Sequence, residues 1–332
     1  MISLSILTSL LTSTFLGAWP SATPVKPMQS MQSTQPPANG AATTAAATTA
    51  AALMATDRAF ASGARARTMR EALGAMFDDG VMMPAPRGQM LAGRTAVLDA
   101  LTATADSAAR VTWTPIRVGL SADGLHGFTV GFMLTSRPNG GHGQYKYLAY
   151  WVRDGEGANT PWRVVAWRRR AIDSTVSIDS TVLPPLLPAQ MQKPTRDAAV
   201  LAAHRRGLIE AEAGFSNEAQ RVGVGAAFAA LGTEESLNVG LLTEGRFTRG
   251  AAAIARVVSG GQPLDAPSTI VWGADTAFVA SSGDLGITFG VIRPKAAPAA
   301  AGASAGAAPP GASFFTIWRR ASPTAPWRYV AE

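Results

Sequence analysis

One ladder of tryptophans and glycines occurs twice in this sequence, and no other feature constrains the fold as strongly. The interval from Trp113 to Gly131 in the earlier copy equals the interval from Trp272 to Gly290 in the later copy. The remaining rungs also correspond, namely Trp151 and Pro161-Trp162-Arg163 in the earlier copy, and Trp318 and Pro326-Trp327-Arg328 in the later copy. A repeat of this length predicts two successive domains that share one architecture.

The composition supports folded domains and excludes several kinds of site. A chain of 332 residues is long enough for two ordinary domains, and 47% hydrophobic residues support buried cores. The absence of cysteine excludes disulfides, thiolate nucleophiles and cysteine-ligated zinc. The three histidines are scattered, and the sequence has no phosphate-binding glycine loop, dinucleotide fingerprint or His-Glu-x-x-His motif. We therefore expect neither a metal nor a cofactor.

The net charge of +7 is distributed unevenly along the chain. Residues 51–170 carry an excess of six positive charges, whereas residues 196–332 carry an excess of one. A basic first half favours anionic ligands or surfaces. However, no segment interleaves basic and aromatic residues along one stripe, so we expect no nucleic-acid binding.

Residues 1–22 have the character of a signal peptide. The stretch from Ile2 to Ala18 is uncharged and apolar, and it ends near small residues. Serine and threonine dilute it too much for a membrane-spanning helix, which needs about 20 strongly apolar residues. No basic residue precedes it, which leaves open that translation starts further downstream. We expect a periplasmic or secreted protein with no stable membrane span after processing, and a low-complexity linker over residues 23–50.

Each half is predicted to place helices before a run of strands. In the first domain, residues 51–170, helices at about 51–77 and 93–105 precede strands at 111–120, 125–135, 144–153 and 162–170. In the second domain, residues 196–332, helices at about 196–228 and 250–258 precede strands at 269–280, 285–292, 313–320 and 327–331. We expect residues 171–195 to be an exposed linker, and about 295–312 to be a disordered insertion at a hairpin tip.

Helices followed by strands joined through tight turns indicate an α+β fold with the helices on one face of a curved sheet. At the ladder positions the chain resembles the nuclear-transport-factor-two-like superfamily, and especially its SnoaL-like branch of uncharacterised exported proteins. The resemblance rests on Trp113-Thr114-Pro115, on Ser282-Gly283-Asp284-Leu285-Gly286 with Thr288 and Gly290, on Trp318-Arg319-Arg320 and on both Pro-Trp-Arg triplets. It implies two tandem cone-shaped domains, each a curved antiparallel sheet packed on N-terminal helices.

Members of that superfamily bind small apolar or polycyclic molecules inside the cone, and some are isomerases, dehydratases, cyclases or epoxide hydrolases. The resemblance therefore implies a site where burial shifts the pKa of an acid or base toward the working pH. In the first domain, Asp78 and Asp79 are the candidate bases, although Asp-Asp-Gly is also typical of an ordinary turn. Tyr145 and Tyr147 are the candidate hydrogen-bond donors.

Strand alternation predicts that Tyr145, Tyr147 and Trp151 share one face of their strand. With Trp113 they form the candidate ligand-binding set, although tryptophans at these positions are more often core residues than ligand contacts. The second domain has Phe314 at the position that corresponds to Tyr147, so catalysis is expected in the first half if it occurs.

Three functions remain open at this point. The first is an exported protein that binds a small apolar ligand in a cone cavity without catalysis, with its two domains packed as a pseudo-dimer. The alternative is an isomerase, dehydratase or hydrolase that uses an Asp–Tyr pair in the first domain. The third is a purely structural interaction protein. A cavity lined by apolar side chains would favour the first function, and one that contains an Asp–Tyr pair would favour the second.

Overall fold

The computed structural model describes residues 40–103, 108–155, 157, 160–240, 244–295 and 311–332. The predicted signal peptide, 1–22, the linker as far as residue 39, and residues 296–310 of the predicted insertion lie outside the described residues. Residues 39–332 form one compact unit, which contains both predicted domains.

The first half places its helices before a meander of four long strands. Its elements are α1 (Gly40–Ala64), α2 (Met69–Met76), β1 (Phe77–Pro84), β2 (Met90–Ala92), α3 (Arg94–Thr102), β3 (Arg110–Leu120), β4 (His126–Ser136), β5 (His142–Val152) and β6 (Arg163–Ile172). The six strands form one sheet in the order β2-β1-β6-β5-β4-β3. Thr68 caps α2 through a reciprocal pair of hydrogen bonds with Glu71, which fixes where this helix begins.

The second half repeats this plan. Its elements are α4 (Ala198–Val222), α5 (Val224–Leu231), β7 (Leu237–Asn238), β8 (Thr248–Arg249), α6 (Ala251–Val258), β9 (Ile270–Val279), β10 (Leu285–Pro294), β11 (Ala312–Arg319) and β12 (Arg328–Ala331). The sheet order β8-β7-β12-β11-β10-β9 matches the first half strand for strand. Gly223, with φ of 91°, separates α4 from α5, so the single predicted helix is two helices.

The α+β class with two tandem halves is confirmed, but the sheets are mixed and not wholly antiparallel. β1 pairs with β6 in parallel, and β7 pairs with β12 in parallel. The strands joined by turns are all antiparallel within each half. A short turn forces its two strands to run in opposite directions, whereas β1 and β6 are far apart in sequence and no turn sets their direction.

The opening helix begins earlier than composition predicts. α1 starts at Gly40, so residues 40–50, which we expected in the linker, are helical. Alanine has the highest intrinsic helix propensity, which favours a helix in this alanine-rich segment. Ala50 and Leu53 are buried in the core of the first half, where α1 packs against β3. Packing of α1 against the sheet therefore stabilises residues 40–50, whose small-residue composition is typical of a linker.

Most of the connection between the halves, residues 171–195, is exposed, but part of it pairs with β3. Leu186 forms a parallel bridge with Gly119 of β3, and the Leu186 N–H donates to the carbonyl oxygen of Val118 at 2.9 Å. The Leu183 N–H donates to the carbonyl oxygen of Ile116 at 2.8 Å. Because β3 is an edge strand with free backbone groups, a segment that pairs with it satisfies them and protects the edge.

The two sheets share a buried core on the faces away from their helices. One apolar cluster combines residues of both halves, among them Phe128, Leu148, Phe289 and Phe315. At its margin the guanidinium of Arg117, fully buried, forms an ion pair with Glu235. Contacts between the halves are therefore part of the folded core.

The hairpin turns of the two halves exchange backbone-to-carboxylate hydrogen bonds. The Ala122 N–H donates to both carboxylate oxygens of Asp284, at 3.0 and 3.1 Å. In the reverse direction, the Ser282 N–H donates to Asp123 at 3.2 Å. Both carboxylates are buried, so each turn supplies the acceptor that the other turn needs.

Candidate functional site

A buried carboxylate lies between the opening helix and the sheet of the first half. Asp57 projects from α1 and is 0% exposed. It accepts a hydrogen bond from the indole Nε1 of Trp113 at 2.6 Å and another from the hydroxyl of Tyr147 at 2.8 Å. Trp151 lies beside this group, where its indole Nε1 donates to the hydroxyl of Thr129 at 2.9 Å. The carboxylate thus connects the opening helix to strands on the concave face of the sheet.

The second half contains the corresponding network around a glutamate. Glu212 projects from α4, is 0% exposed, and accepts from the indole Nε1 of Trp272 at 2.7 Å. Its other oxygen accepts from the hydroxyl of Thr288 at 2.5 Å and from the indole Nε1 of Trp318 at 2.9 Å. In both halves the first tryptophan of the ladder therefore donates to a buried carboxylate, while the other donors to that carboxylate differ.

Burial governs the protonation of both carboxylates. Desolvation raises the pKa of Asp57 and of Glu212, because a charge without water around it is costly. The hydrogen bonds from their tryptophan, threonine and tyrosine neighbours oppose this shift without cancelling it. Each network consequently holds a carboxyl group that takes up a proton more readily than it would in water.

A cavity of about 330 Å³ opens beside Glu212 in the second half. Its walls are mainly aromatic and aliphatic side chains from α4, α5, α6 and the sheet, including Phe215, Phe228, Val258, Ile270, Trp272 and Phe314. Such a volume with predominantly apolar walls is typical of small-molecule sites. The cavity therefore lies in the second half, whereas the candidate acid–base residues predicted from the sequence lie in the first half.

Polar groups gather at one side of this cavity. Glu332, Asn238, Arg168 and Arg170 all line it, and the two arginines belong to β6 of the first half. The amide of Asn238 donates to the Glu332 carboxylate at 2.7 Å. Burial raises the pKa of Glu332 from 4.5 to about 7, against the opposing effects of the Asn238 hydrogen bond and the Arg168 charge. The guanidinium of Arg168 lies over the Phe315 ring, 5.6 Å from its centroid.

The two predicted bases lie away from the carboxylate network. Asp78 accepts a hydrogen bond from the Gly80 N–H at 2.8 Å, as in an ordinary turn. Asp79 is exposed and forms an ion pair with Arg94 at 2.6 Å. The carboxylate that Tyr147 contacts is that of Asp57, so neither Asp78 nor Asp79 is its partner.

The predicted ligand-binding residues are brought together only in part. Trp113 and Tyr147 both donate to Asp57, and Trp151 stacks on Phe60 with ring centroids 6.1 Å apart. These residues are buried in the core of the first half. Tyr145 is partly buried, and its ring lies beneath the guanidinium of Arg169, 4.5 Å from the centroid to the cation.

The two buried carboxylates, Asp57 and Glu212, are not among the site residues predicted from the sequence. Asp57 could have been identified from the sequence, because it is an acid within the apolar pattern of the opening helix. Glu212 could have been identified from the repeat. It precedes Trp272 by nearly the same number of residues as Asp57 precedes Trp113. The run Arg168-Arg169-Arg170 at the end of its strand fits either contact with an anionic partner or a solvated strand end, but nothing in the run records that Arg168 lines the cavity of the second half.

Two further properties concern the described residues. No helix among them is both long enough and apolar enough to cross a membrane. They also contain no cluster of three or more histidine, aspartate or glutamate side chains arranged to hold a metal ion.

Comparisons with known proteins concern the fold. No protein-family model and no curated protein matches the chain. An uncharacterised Caulobacter vibrioides protein with a cystatin-like fold is similar in structure, with 14% identity, 37% of this chain and 89% of that chain covered, and a TM-score of 0.28. A ketosteroid isomerase-like protein from Erwinia carotovora atroseptica has 14% identity, 39% and 96% coverage, and a TM-score of 0.27.

The CaMKII hub of S. rosetta is similar at 19% identity, with 37% and 95% coverage and a TM-score of 0.27. Each of these proteins covers little more than a third of the chain, which is about the length of one of its two predicted domains. In each half of the present protein, an antiparallel meander is extended by a parallel strand and covered by helices. The α+β arrangement of helices and a six-stranded mixed sheet therefore occurs twice in the chain.

Proposed function

We propose that the second half binds a small, largely apolar molecule in the cavity beside Glu212. The observation that carries this proposal is the cavity itself, about 330 Å³ in volume and walled by Phe215, Phe228, Trp272 and Phe314. Apolar surfaces of this kind release water when a ligand covers them, which makes binding favourable without any covalent chemistry.

The hydrogen bonds of Glu212 support binding over catalysis. Both of its carboxylate oxygens accept hydrogen bonds from Trp272, Thr288 and Trp318. These three bonds occupy most of the roughly four acceptor positions of a carboxylate, which leaves little capacity to take a proton from a substrate. Glu212 instead fixes two tryptophans of the wall, and its part in this proposal is to shape the cavity.

The alternative is an isomerase, dehydratase or hydrolase that uses an Asp–Tyr pair of the first half. Asp57 and Tyr147 are such a pair, hydrogen-bonded at 2.8 Å, and burial raises the pKa of both. However, Asp57 is 0% exposed and Tyr147 is 2% exposed, and each is bonded to the other inside the core. We therefore favour binding in the second half over catalysis in the first.

We further propose that the halves pack as a pseudo-dimer and that the protein is exported. The shared apolar core and the reciprocal bonds of Asp123 and Asp284 support the pseudo-dimer. The apolar stretch from Ile2 to Ala18 supports export. Fractionation of the native host would test export, since recovery of the protein in the cytoplasm with residues 1–22 intact would contradict it.

A fluorescence titration tests the binding proposal. The neutral dye N-phenyl-naphthylamine, which brightens in apolar surroundings, is titrated into the full chain with excitation outside tryptophan absorption. We expect saturable binding to the wild type and a strong loss with Val258→Trp, which fills the cavity. The matched control is Val182→Trp, at a site 58% exposed in the segment between the halves, and it should bind as the wild type does.

Two outcomes of the dye titration would overturn the binding proposal. If the wild type shows no saturable binding, or if Val258→Trp binds the dye as well as Val182→Trp does, the cavity is not the site. Circular dichroism of both variants confirms that the comparison concerns folded protein.

A further inference from the structure

We infer that the ligand of the second-half cavity carries a carboxylate head group, which Arg168 of the first half recognises. This inference rests on the proposed function and specifies its ligand as an amphipathic carboxylic acid. The binding site then includes residues of both halves, because side chains of the first half complete the cavity of the second half.

The first half forms part of the cavity wall. Arg168 and Arg170 of β6 line the cavity together with Ser313 of β11. Ser313 in turn is held by the first half, since its hydroxyl donates to the carbonyl oxygen of Ala85 at 2.7 Å. The packing of the two halves thus brings the side chain of Arg168 to the wall of the cavity.

The guanidinium of Arg168 lacks a hydrogen-bond acceptor. Within the described ranges the guanidinium of Arg168 has no hydrogen bond or ion pair, and the charge of Glu332 acts on it without forming an ion pair. Phe315 covers one face of the cation. Gly240 leaves the space it needs, because a Cβ there would lie 2.8 Å from Nη2. Because the Arg168 side chain is partly exposed and lines the cavity, its N–H donors are open to an acceptor on a ligand.

The charges around the cavity favour a carboxylate as that acceptor. Arg168 and Arg170 contribute two cations. Glu212 is held away by three donors, and Glu332 is bonded to Asn238 and takes up a proton near neutral pH because of its burial. A planar carboxylate matches the forked donors of arginine and forms two parallel hydrogen bonds with them. The apolar walls then accept a hydrocarbon or aromatic body.

Displacement of the dye by two matched probes tests the inference. Octanoate and octanol have the same chain length, and they compete with N-phenyl-naphthylamine for the full chain at about pH 6, where octanoate is ionised and Glu332 is largely protonated. We expect octanoate to bind roughly tenfold more tightly than octanol, the size of one charge-assisted hydrogen bond. Octanol is the more hydrophobic of the two, so an apolar cavity without a cation would show the opposite order.

Three variants locate the head-group site. Arg168→Gln should abolish the preference for octanoate while dye and octanol binding stay as in the wild type. Arg168→Lys keeps the positive charge and should retain part of the preference, which also covers the case in which Arg168→Gln does not fold. The matched control is Arg163→Gln, on the same strand and outside the cavity lining, which should behave as the wild type does.

The outcomes separate this inference from the proposed function. Dye binding with octanol equal to or tighter than octanoate, or an octanoate preference that survives in Arg168→Gln, overturns the carboxylate inference and leaves the binding function standing. A wild type that does not bind the dye overturns both. A preference that Arg168→Gln alone removes supports both.

Discussion

Asp57 and Glu212 occupy equivalent positions in the two halves, and each accepts the indole N–H of the first tryptophan of its ladder. The distance is 2.6 Å from Trp113 to Asp57 and 2.7 Å from Trp272 to Glu212. The repeated ladder is therefore a repeated set of donors around a buried acid. The halves differ in the remaining donors, because Asp57 is bonded to the hydroxyl of Tyr147 while the corresponding Phe314 has none and borders the cavity.

The first prediction concerns the hydroxyl of Tyr147. Tyr147→Phe removes the donor to one oxygen of Asp57, which then stays buried without that partner, and we expect a loss of about 1–3 kcal/mol in the free energy of unfolding. Urea denaturation followed by tryptophan fluorescence measures the loss. Tyr145→Phe, on the same strand and partly exposed, is the control and should change the stability by less than about 0.5 kcal/mol. Equal effects of the two variants would contradict the role of Tyr147.

The second prediction concerns Glu212. In Glu212→Gln the side-chain nitrogen replaces one acceptor oxygen, and the tryptophan N–H groups around it can only donate, so we expect a loss of about 1–3 kcal/mol in stability. Thermal unfolding monitored by circular dichroism provides the measurement. The control is Glu210→Gln, an exposed site two residues away on the same helix. A Glu212→Gln variant as stable as this control would show that the network adds little.

The third prediction concerns the ion pair between the halves. Glu235→Ala leaves the fully buried guanidinium of Arg117 with only the carbonyl oxygens of Pro184 and Glu235 as acceptors. We expect a loss of about 1–3 kcal/mol in the free energy of unfolding, less than for a fully buried pair because the Glu235 side chain is 39% exposed. Glu234→Ala, at the exposed neighbouring position, should change the stability little. Equilibrium unfolding in guanidinium chloride compares the two. If Arg117 gains a water shell instead, both variants will unfold at the same midpoint.

The fourth prediction concerns pH and Glu332. Burial raises its pKa in the folded protein from 4.5 to about 7, so the folded state holds a proton that the unfolded state releases. The stabilisation is complete below about pH 4.5, declines as the pH rises, and is lost above about pH 7, by roughly 1–3 kcal/mol in total. Glu332→Gln keeps an acceptor for Asn238 and cannot ionise.

Unfolding free energies of the wild type and Glu332→Gln, measured between about pH 4.5 and about pH 7, test the direction in which stability changes with pH. The difference between wild type and variant should become less favourable to the wild type as the pH rises. A difference that is constant with pH, or that moves in the opposite direction, would contradict a raised pKa at this position. Taking the difference removes the contribution of a distant buried acid such as Asp57, which is common to both proteins.

The sequence by itself determined the strands and the repeat. The strand predicted at 125–135 is β4 at His126–Ser136, and the one predicted at 285–292 is β10 at Leu285–Pro294. These elements follow from residue alternation and from turn residues such as Gly124 and Gly283, whose φ angles are 67° and 68°. Such signals are local, because a turn is fixed by the few residues that form it.

Only the tertiary structure decided which groups meet. Asp57 reaches Trp113 and Tyr147 because α1 packs across the concave face of the sheet, and nothing near Asp57 in the sequence records its partners. Arg168 reaches the cavity of the second half because the two sheets share a core. These contacts join residues that are far apart along the chain, and long-range packing, unlike turn formation, depends on the whole chain. The repeated ladder thus specified the scaffold, and the packing of its two copies placed the candidate site.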